Sequence, residues 1–334
     1  MANQEIRQKT VGLSFAGGGV QAWAEVAAYA DLERQGVTID AVAGTSMGSF
    51  LAAAVASGLS AEEIYQVIHD TDEAIEKSNL FGIQAFFSLF SLRQPMGFVL
   101  MEKLAEVIRP VSKLYGEVML SDIPKPLAIP AVDIISNKMI IFSNQPEYFK
   151  TVYEDAEFYE EDISVVQACL ASSAYPIILT PVKIGDYQLV DGGTLMNSPA
   201  ALFSKDKIEH VIALRIPILE NTEPIEKRLE VALRAINLMV ESQEESLTYT
   251  ADQQYFFDVK LPGLFKFGDS EPIIRAGQQF VRDNPIDTTD IFEKIEPEPK
   301  KEKPEEAIKI VIEKPETTRE KLGKLWHQVK NFMN

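Results

Sequence analysis

Ala41-Val42-Ala43-Gly44-Thr45-Ser46-Met47-Gly48-Ser49-Phe50 is the stretch that decides the fold. A short apolar run leads into G-x-S-x-G, and a helix-forming run over residues 50–56 leads out. Strand, sharp turn, helix is the context in which this pattern reads as a nucleophile elbow. Gly44 and Gly48 leave room where a Cβ would clash. Ser46 then stands at the strand's C-terminal end, at the positive end of the next helix. Free helix N–H groups favour an alkoxide or oxyanion there. The same residues also fit a plain strand-to-helix turn with a capping serine.

Upstream, Val11-Gly12-Leu13-Ser14-Phe15 reads as a strand that runs into Ala16-Gly17-Gly18-Gly19-Val20-Gln21-Ala22. Residues 23–35 have helical spacing, ended by Gly36, and residues 37–43 form the second strand. Two strand–loop–helix units therefore come first, with glycine-rich loops at the strand ends where open α/β sheets build sites. Gly17-x-Gly19-x-x-Ala22 fits a dinucleotide fingerprint, and Asp40 lies near the distance of its acidic residue. The same glycines fit an oxyanion hole, because amides without side chains can approach developing negative charge. A tight turn with no ligand is the third reading. The elbow on the next strand favours the oxyanion hole, since an acyl hydrolase needs both features side by side.

Downstream, Ser60 and Glu63 form a capping box for a helix through His69. Residues 80–100 are crowded with Phe81, Phe86, Phe87, Leu89, Phe90, Phe98 and Val99 without clean periodicity. They suit core packing or an apolar mouth for acyl chains. Residues 101–108 read as a helix, 127–134 and 138–143 as paired strands, and 163–172 as a short helix. A hairpin turns at Gly185-Asp186, and Asp191-Gly192-Gly193 follows it at another strand end. An aspartate in such a turn often bonds its own backbone. Beyond it the pattern is strand 211–216, helix 223–248, strand 255–261 and helix 270–282.

Composition bounds the rest. The 334 residues are 46% hydrophobic, enough for one large α/β domain with additions. The net charge of −18 argues against a nucleic-acid partner. Cys169, the one cysteine, excludes a disulfide framework and a Cys-based metal site, and its apolar neighbours suggest a buried thiol. The start lacks the pattern of a signal peptide, and no run of apolar residues is long enough to span a bilayer. A cytoplasmic protein is the expectation. Residues 283–316 read as a Pro/Glu/Lys-rich linker. Residues 317–334 place Leu322, Leu325, Trp326, Val329, Phe332 and Met333 at helical spacing, with four basic residues against one acid. That basic amphipathic helix fits docking on the domain, or peripheral contact at the inner membrane face.

Three landmarks in order, Gly17-Gly18-Gly19, the elbow at Ser46 and Asp191-Gly192-Gly193, resemble the patatin-like phospholipases over residues 8–282. The resemblance implies a three-layer αβα hydrolase with a central, mostly parallel sheet. It implies a Ser–Asp dyad without histidine: Ser46 as nucleophile, Asp191 as general base. It implies oxyanion N–H donors from Gly17, Gly18 and Gly19, joined by Met47. The histidine inventory agrees, because His69, His210 and His327 lie in no motif. One departure stands out: Gln21 and Ala22 occupy positions where the family usually carries Arg or Lys and then Gly. The expected function is a serine acyl hydrolase that cleaves fatty acyl esters of lipids, with no metal or cofactor. The alternatives are a patatin-fold protein that binds lipid or a partner without turnover, and nucleotide binding at the Gly17 loop.

Overall fold

A computed structural model describes residues 6–82, 96–217, 227–248, 250–258 and 263–294. The expected linker over 295–316, the helix over 317–334 and the middle of the apolar stretch (83–95) lie outside the described residues. The strands are β1 (Ile6–Gln8), β2 (Val11–Phe15), β3 (Ala41–Gly44), β4 (Gly97–Val99), β5 (Leu127–Asp133), β6 (Lys138–Ser143), β7 (Glu157–Phe158), β8 (Ile177–Leu179), β9 (Val182–Ile184), β10 (Tyr187–Asp191), β11 (His210–Arg215), β12 (Gln253–Phe256) and β13 (Phe292–Lys294). The helices are α1 (Val26–Arg34), α2 (Met47–Ala56), α3 (Ala61–Ser78), α4 (Met101–Ile108), α5 (Val165–Ser172), α6 (Arg228–Thr248) and α7 (Ser270–Asp283).

The central sheet runs β12-β11-β2-β3-β5-β10-β9, with β6 and β7 continuing from β5. β12, β11, β2, β3 and β5 are mutually parallel, whereas β10 and β6 run antiparallel to β5. This is an α/β fold on a mixed, mostly parallel sheet. Alternation along each strand divides the residues between two faces. Leu13, Phe15, Val42, Ile129 and Leu214 pack on one side with Leu32, Leu51, Val55 and Val166 from the helices. On the other side, small Ala41, Ala43, Ala128 and Ala213 let the turn Pro199–Leu202 come close, with Met196 and Phe203 filling the remaining space. α6 packs on that turn and completes the third layer.

One feature of register builds the site. β6 covers one edge of β5 from Ala128 to Asp133. On the opposite edge, β3 pairs at the start, with Ala43 opposite Ala128. β10 takes the same edge further on, with Asp191 opposite Ala131. The two strands run toward each other, so their C-terminal ends meet. The gap between them falls at Pro130, a residue with no N–H that a neighbour would have to satisfy.

Local signals explain the helix ends. Ser60 and Glu63 form the reciprocal capping box expected of them, and α3 then runs on to Ser78, where Asn79 closes it in a left-handed conformation. The polypeptide from 19 to 25 is 3₁₀ rather than α, and α1 begins only at Val26. The folded region also passes the boundary at 282 that composition suggested. β13 pairs antiparallel with β1, and Ile286 and Ile291 are buried. Residues 283–294 carry enough apolar anchors to pack before the Glu/Lys/Pro composition takes over.

Candidate active site

The elbow is built as the glycines require. A Cβ on Gly44 would lie 2.3 Å from the Gly48 carbonyl oxygen, and one on Gly48 would lie 2.4 Å from the Ala16 carbonyl oxygen. Only glycine permits this approach of α2 to the ends of β2 and β3. Ser46 pivots between strand and helix at φ 53°, a value that L-residues other than Asn and Asp seldom adopt. Such strain persists only where its surroundings hold it. Here Thr45 donates its Oγ1 hydrogen to the Met196 carbonyl at 3.0 Å, and the Ser46 N–H donates to Ser172 Oγ at 3.0 Å. Ser172 passes the load to β5 by donating to the Pro130 carbonyl at 2.6 Å.

The Ser46 hydroxyl does not cap α2. It donates to Asp191 Oδ2 at 2.7 Å. The other oxygen, Oδ1, accepts the Gly193 N–H at 2.7 Å, so the aspartate also bonds its own turn as such residues commonly do. Gly192 lets that turn press on β5, since a Cβ there would lie 2.2 Å from the Pro130 carbonyl oxygen. Asp191 is buried, and desolvation raises its pKa to about 6 against the opposing pull of the Ser46 and Gly193 hydrogen bonds. A carboxylate made more basic and bonded to a strained serine hydroxyl is equipped to accept its proton.

The glycine loop faces this pair, with one change from expectation. The Gly17 N–H is taken by the Asn197 carbonyl at 3.0 Å, so Gly17 is not an open oxyanion donor. Neither Gly18 nor Gly19 has a hydrogen-bond acceptor for its amide among the described residues, and Met47 begins α2 with its N–H free of the helix ladder. Gly18, Gly19, Met47, Ser46 and Asp191 all line one cavity of about 280 Å³. The same cavity has an apolar part, the apolar arm, whose lining includes Phe50, Val67, Ile68, Leu104 and Ile108. Phe81 lines the cavity too, whereas Phe98 and Val99 are buried in the core. Gln21 is buried and reaches the cavity wall.

The competing readings lose their residues. Asp40 accepts the Val11 N–H at 2.7 Å at the start of β2, the end of the sheet remote from the glycine loop. It is not placed to meet a ribose. His69 is exposed on α3 beside Asp70, and His210 pairs opposite Val11 at the remote end of the sheet. Neither reaches the Ser46–Asp191 pair. Cys169 is buried beneath α2, and burial pushes its thiol up to about 12, which makes it inert. Among the described residues no cluster of His, Cys, Asp and Glu could hold a metal ion, and no helix is long and apolar enough to cross a membrane.

Asn197 is the residue that sequence reasoning passed over. Its position in the site depends on a contact across 180 residues, and nothing local announces it.

Comparison with known proteins shows the family of the chain. The model of the patatin-like phospholipases matches residues 13–204. An uncharacterized protein, YqhO of Bacillus subtilis, is 27% identical over 70% of this chain and 79% of its own length. The cGAMP-activated phospholipase of Vibrio cholerae is 27% identical over 56% of this chain and 55% of its own. Lysophospholipase NTE1 of Candida albicans is 23% identical over 66% of this chain, which spans only 14% of that protein. Among solved structures, VipD from Legionella pneumophila superposes with a TM-score of 0.46 at 14% identity, over 84% of this chain and 68% of that one.

Proposed function

The chain belongs to the patatin-like phospholipase family, and from that premise we propose that it is a serine acyl hydrolase acting on fatty acyl esters of lipids. The observation that carries this reading is the 2.7 Å hydrogen bond from Ser46 Oγ to a buried Asp191 whose pKa is raised to about 6. At neutral pH Asp191 is mostly ionised and more basic than a solvated aspartate.

In the acylation step Ser46 Oγ attacks the ester carbonyl while Asp191 takes its proton. The tetrahedral oxyanion meets the amides of Gly18 and Gly19, joined by Met47 at the positive end of α2. The C–O bond then breaks, and Asp191 returns the proton to the leaving alcohol. Water, deprotonated by Asp191, attacks the acyl-Ser46 carbonyl; the bond from that carbon to Ser46 Oγ then breaks, Asp191 returns the proton to Oγ, and the fatty acid leaves. The apolar arm beside Phe50, Ile68 and Leu104 suits the acyl chain, which would leave water as it enters.

A fluorophosphonate probe tests this directly. The purified protein should label at Ser46 and hydrolyse lipid esters without added metal, and Ser46→Ala should do neither. A folded wild-type protein inert to both probe and lipid esters would leave a lipid- or partner-binding role in its place. Two of the relatives above bear phospholipase or lysophospholipase names, which agrees with a lipid ester as the substrate class.

A further inference from the structure

We propose that Asn197 is a positioning residue that ties the oxyanion loop to the turn carrying Asp191, with Glu244 of α6 as its buried anchor. The inference rests on the hydrolase reading for its kinetic consequence, though not for its structural one. Three observations carry it. The first is that Asn197 grips Gly17 from both sides. Its carbonyl accepts the Gly17 N–H at 3.0 Å, and its Nδ2 donates to the Gly17 carbonyl at 3.1 Å. Both backbone polar groups of Gly17, one in each of its flanking peptide units, are thus held by one residue.

The second observation concerns space. A Cβ on Gly17 would lie 2.4 Å from Asn197 Oδ1, and a Cβ on Gly193 would lie 2.9 Å from the same atom. The amide group is wedged between the two loops, and a glycine on each side makes room for it. Gly193 in turn donates its N–H to Asp191 Oδ1 at 2.7 Å. One side chain therefore touches the oxyanion loop and the residue that orients the base.

The third observation is what holds Asn197. The Glu244 carboxylate accepts the Ser198 N–H at 2.7 Å and also the Asn197 N–H, and it pairs with Arg215 Nε at 3.4 Å. Glu244 and the Arg215 side chain are both largely buried. Burial penalises the carboxylate, and the two backbone N–H groups and Arg215 compensate. On the loop's other flank, buried Glu25 accepts the Ala16 N–H at 3.0 Å. Residues 16 and 17 are thereby held from both sides, while the amides of Gly18 and Gly19 stay unclaimed by other described residues. A donor displaced by about 1 Å from a developing oxyanion can cost roughly 10²-fold in rate, so such a strut has kinetic weight without touching substrate.

The test is a pair of variants with two readouts. Asn197→Ala removes the wedge. Asn197→Asp keeps its volume and loses the donor to Gly17, and decides the matter if the alanine variant does not fold. In kinetics on a lipid ester, kcat should fall about 10- to 100-fold with KM within about twofold, while Tm stays above the assay temperature. In hydrogen exchange, amides of residues 16–21 should exchange several-fold faster, with β3 and β5 unchanged. A folded variant with wild-type kcat, or with wild-type exchange over 16–21, overturns the proposal. A wild-type enzyme that neither hydrolyses nor labels sinks the hydrolase reading instead, and the exchange result still decides the strut.

Discussion

The hydroxyl of Ser46 donates to Oδ2 of Asp191 over 2.7 Å, from a residue held at φ 53°. The contact exists because β3 and β10 end against each other on one edge of β5. Asp191→Asn isolates the carboxylate's chemistry, since an amide oxygen can still accept the Gly193 N–H and preserve the turn. Turnover should fall by about 10²- to 10⁴-fold, as expected on losing a general base. His69→Gln and His210→Gln should stay within about twofold of wild type, within ordinary variation for residues remote from the chemistry. A comparable collapse in either folded histidine variant would refute the dyad.

Asp191 should also leave its mark on pH dependence. Its carboxyl titrates near 6 in the folded protein against 3.8 for an ordinary aspartate. Activity should therefore fall as pH drops through about 6, where the base becomes protonated. For stability the sign is opposite to that of a salt-bridged aspartate. A raised folded pKa contributes stability that is fully present below about 3.8 and is lost as pH rises through about 6. Asparagine carries no such titration, so Asp191→Asn should gain on wild type between pH 4 and 7, by up to about 3 kcal/mol. Urea melts of both proteins across that range measure the difference, and a constant difference would show that burial does not raise this pKa.

The elbow and the first two strand–loop–helix units were legible because their signals are local. Gly44 and Gly48 answer to contacts within a few residues of chain or with the adjacent strand end. The direction of β10 was not legible, because it follows from pairing with β5 some 60 residues earlier. The same holds for the Gly17 amide: an acceptor at Asn197 cannot be read from a glycine triplet. Residues 283–294 were misread for a compositional reason, in that Ile286 and Ile291 are too widely spaced to register as an element yet both are buried.

Gly18 and Gly19 should respond differently to substitution. A Cβ at Gly18 would meet the side chain of Ile216 at 3.0 Å, a neighbour that can shift. Gly18→Val should fold and lose about 10²-fold in kcat as its N–H is redirected. Gly19 has φ +54°, and a Cβ there would lie 2.1 Å from the Leu264 carbonyl oxygen, which is backbone. Gly19→Ala should therefore lose stability first, by at least about 1–2 kcal/mol from the left-handed conformation alone. Melting temperature and kcat measured on both variants separate the two effects. A folded, fully active Gly18→Val would move the oxyanion hole elsewhere.

The apolar arm makes a prediction about chain length. Val67 and Ile68 on α3 and Leu104 and Ile108 on α4 line the same cavity as Ser46. An acyl chain seated there gains roughly 0.8 kcal/mol per methylene buried, so kcat/KM should rise with chain length until the arm is full. Ile68→Trp places an indole in that space. Overpacking costs about 1–3 kcal/mol of stability, which a melt would register, but the diagnostic readout is a ratio. Short water-soluble esters, whose acyl group reaches little beyond Ser46, should keep wild-type kcat/KM. Long-chain esters should lose at least about tenfold, the equivalent of roughly two methylenes. Leu104→Ala should do the reverse and extend the preference toward longer or bulkier chains. If both variants keep the wild-type ratio of long to short substrates, the acyl chain does not occupy this arm.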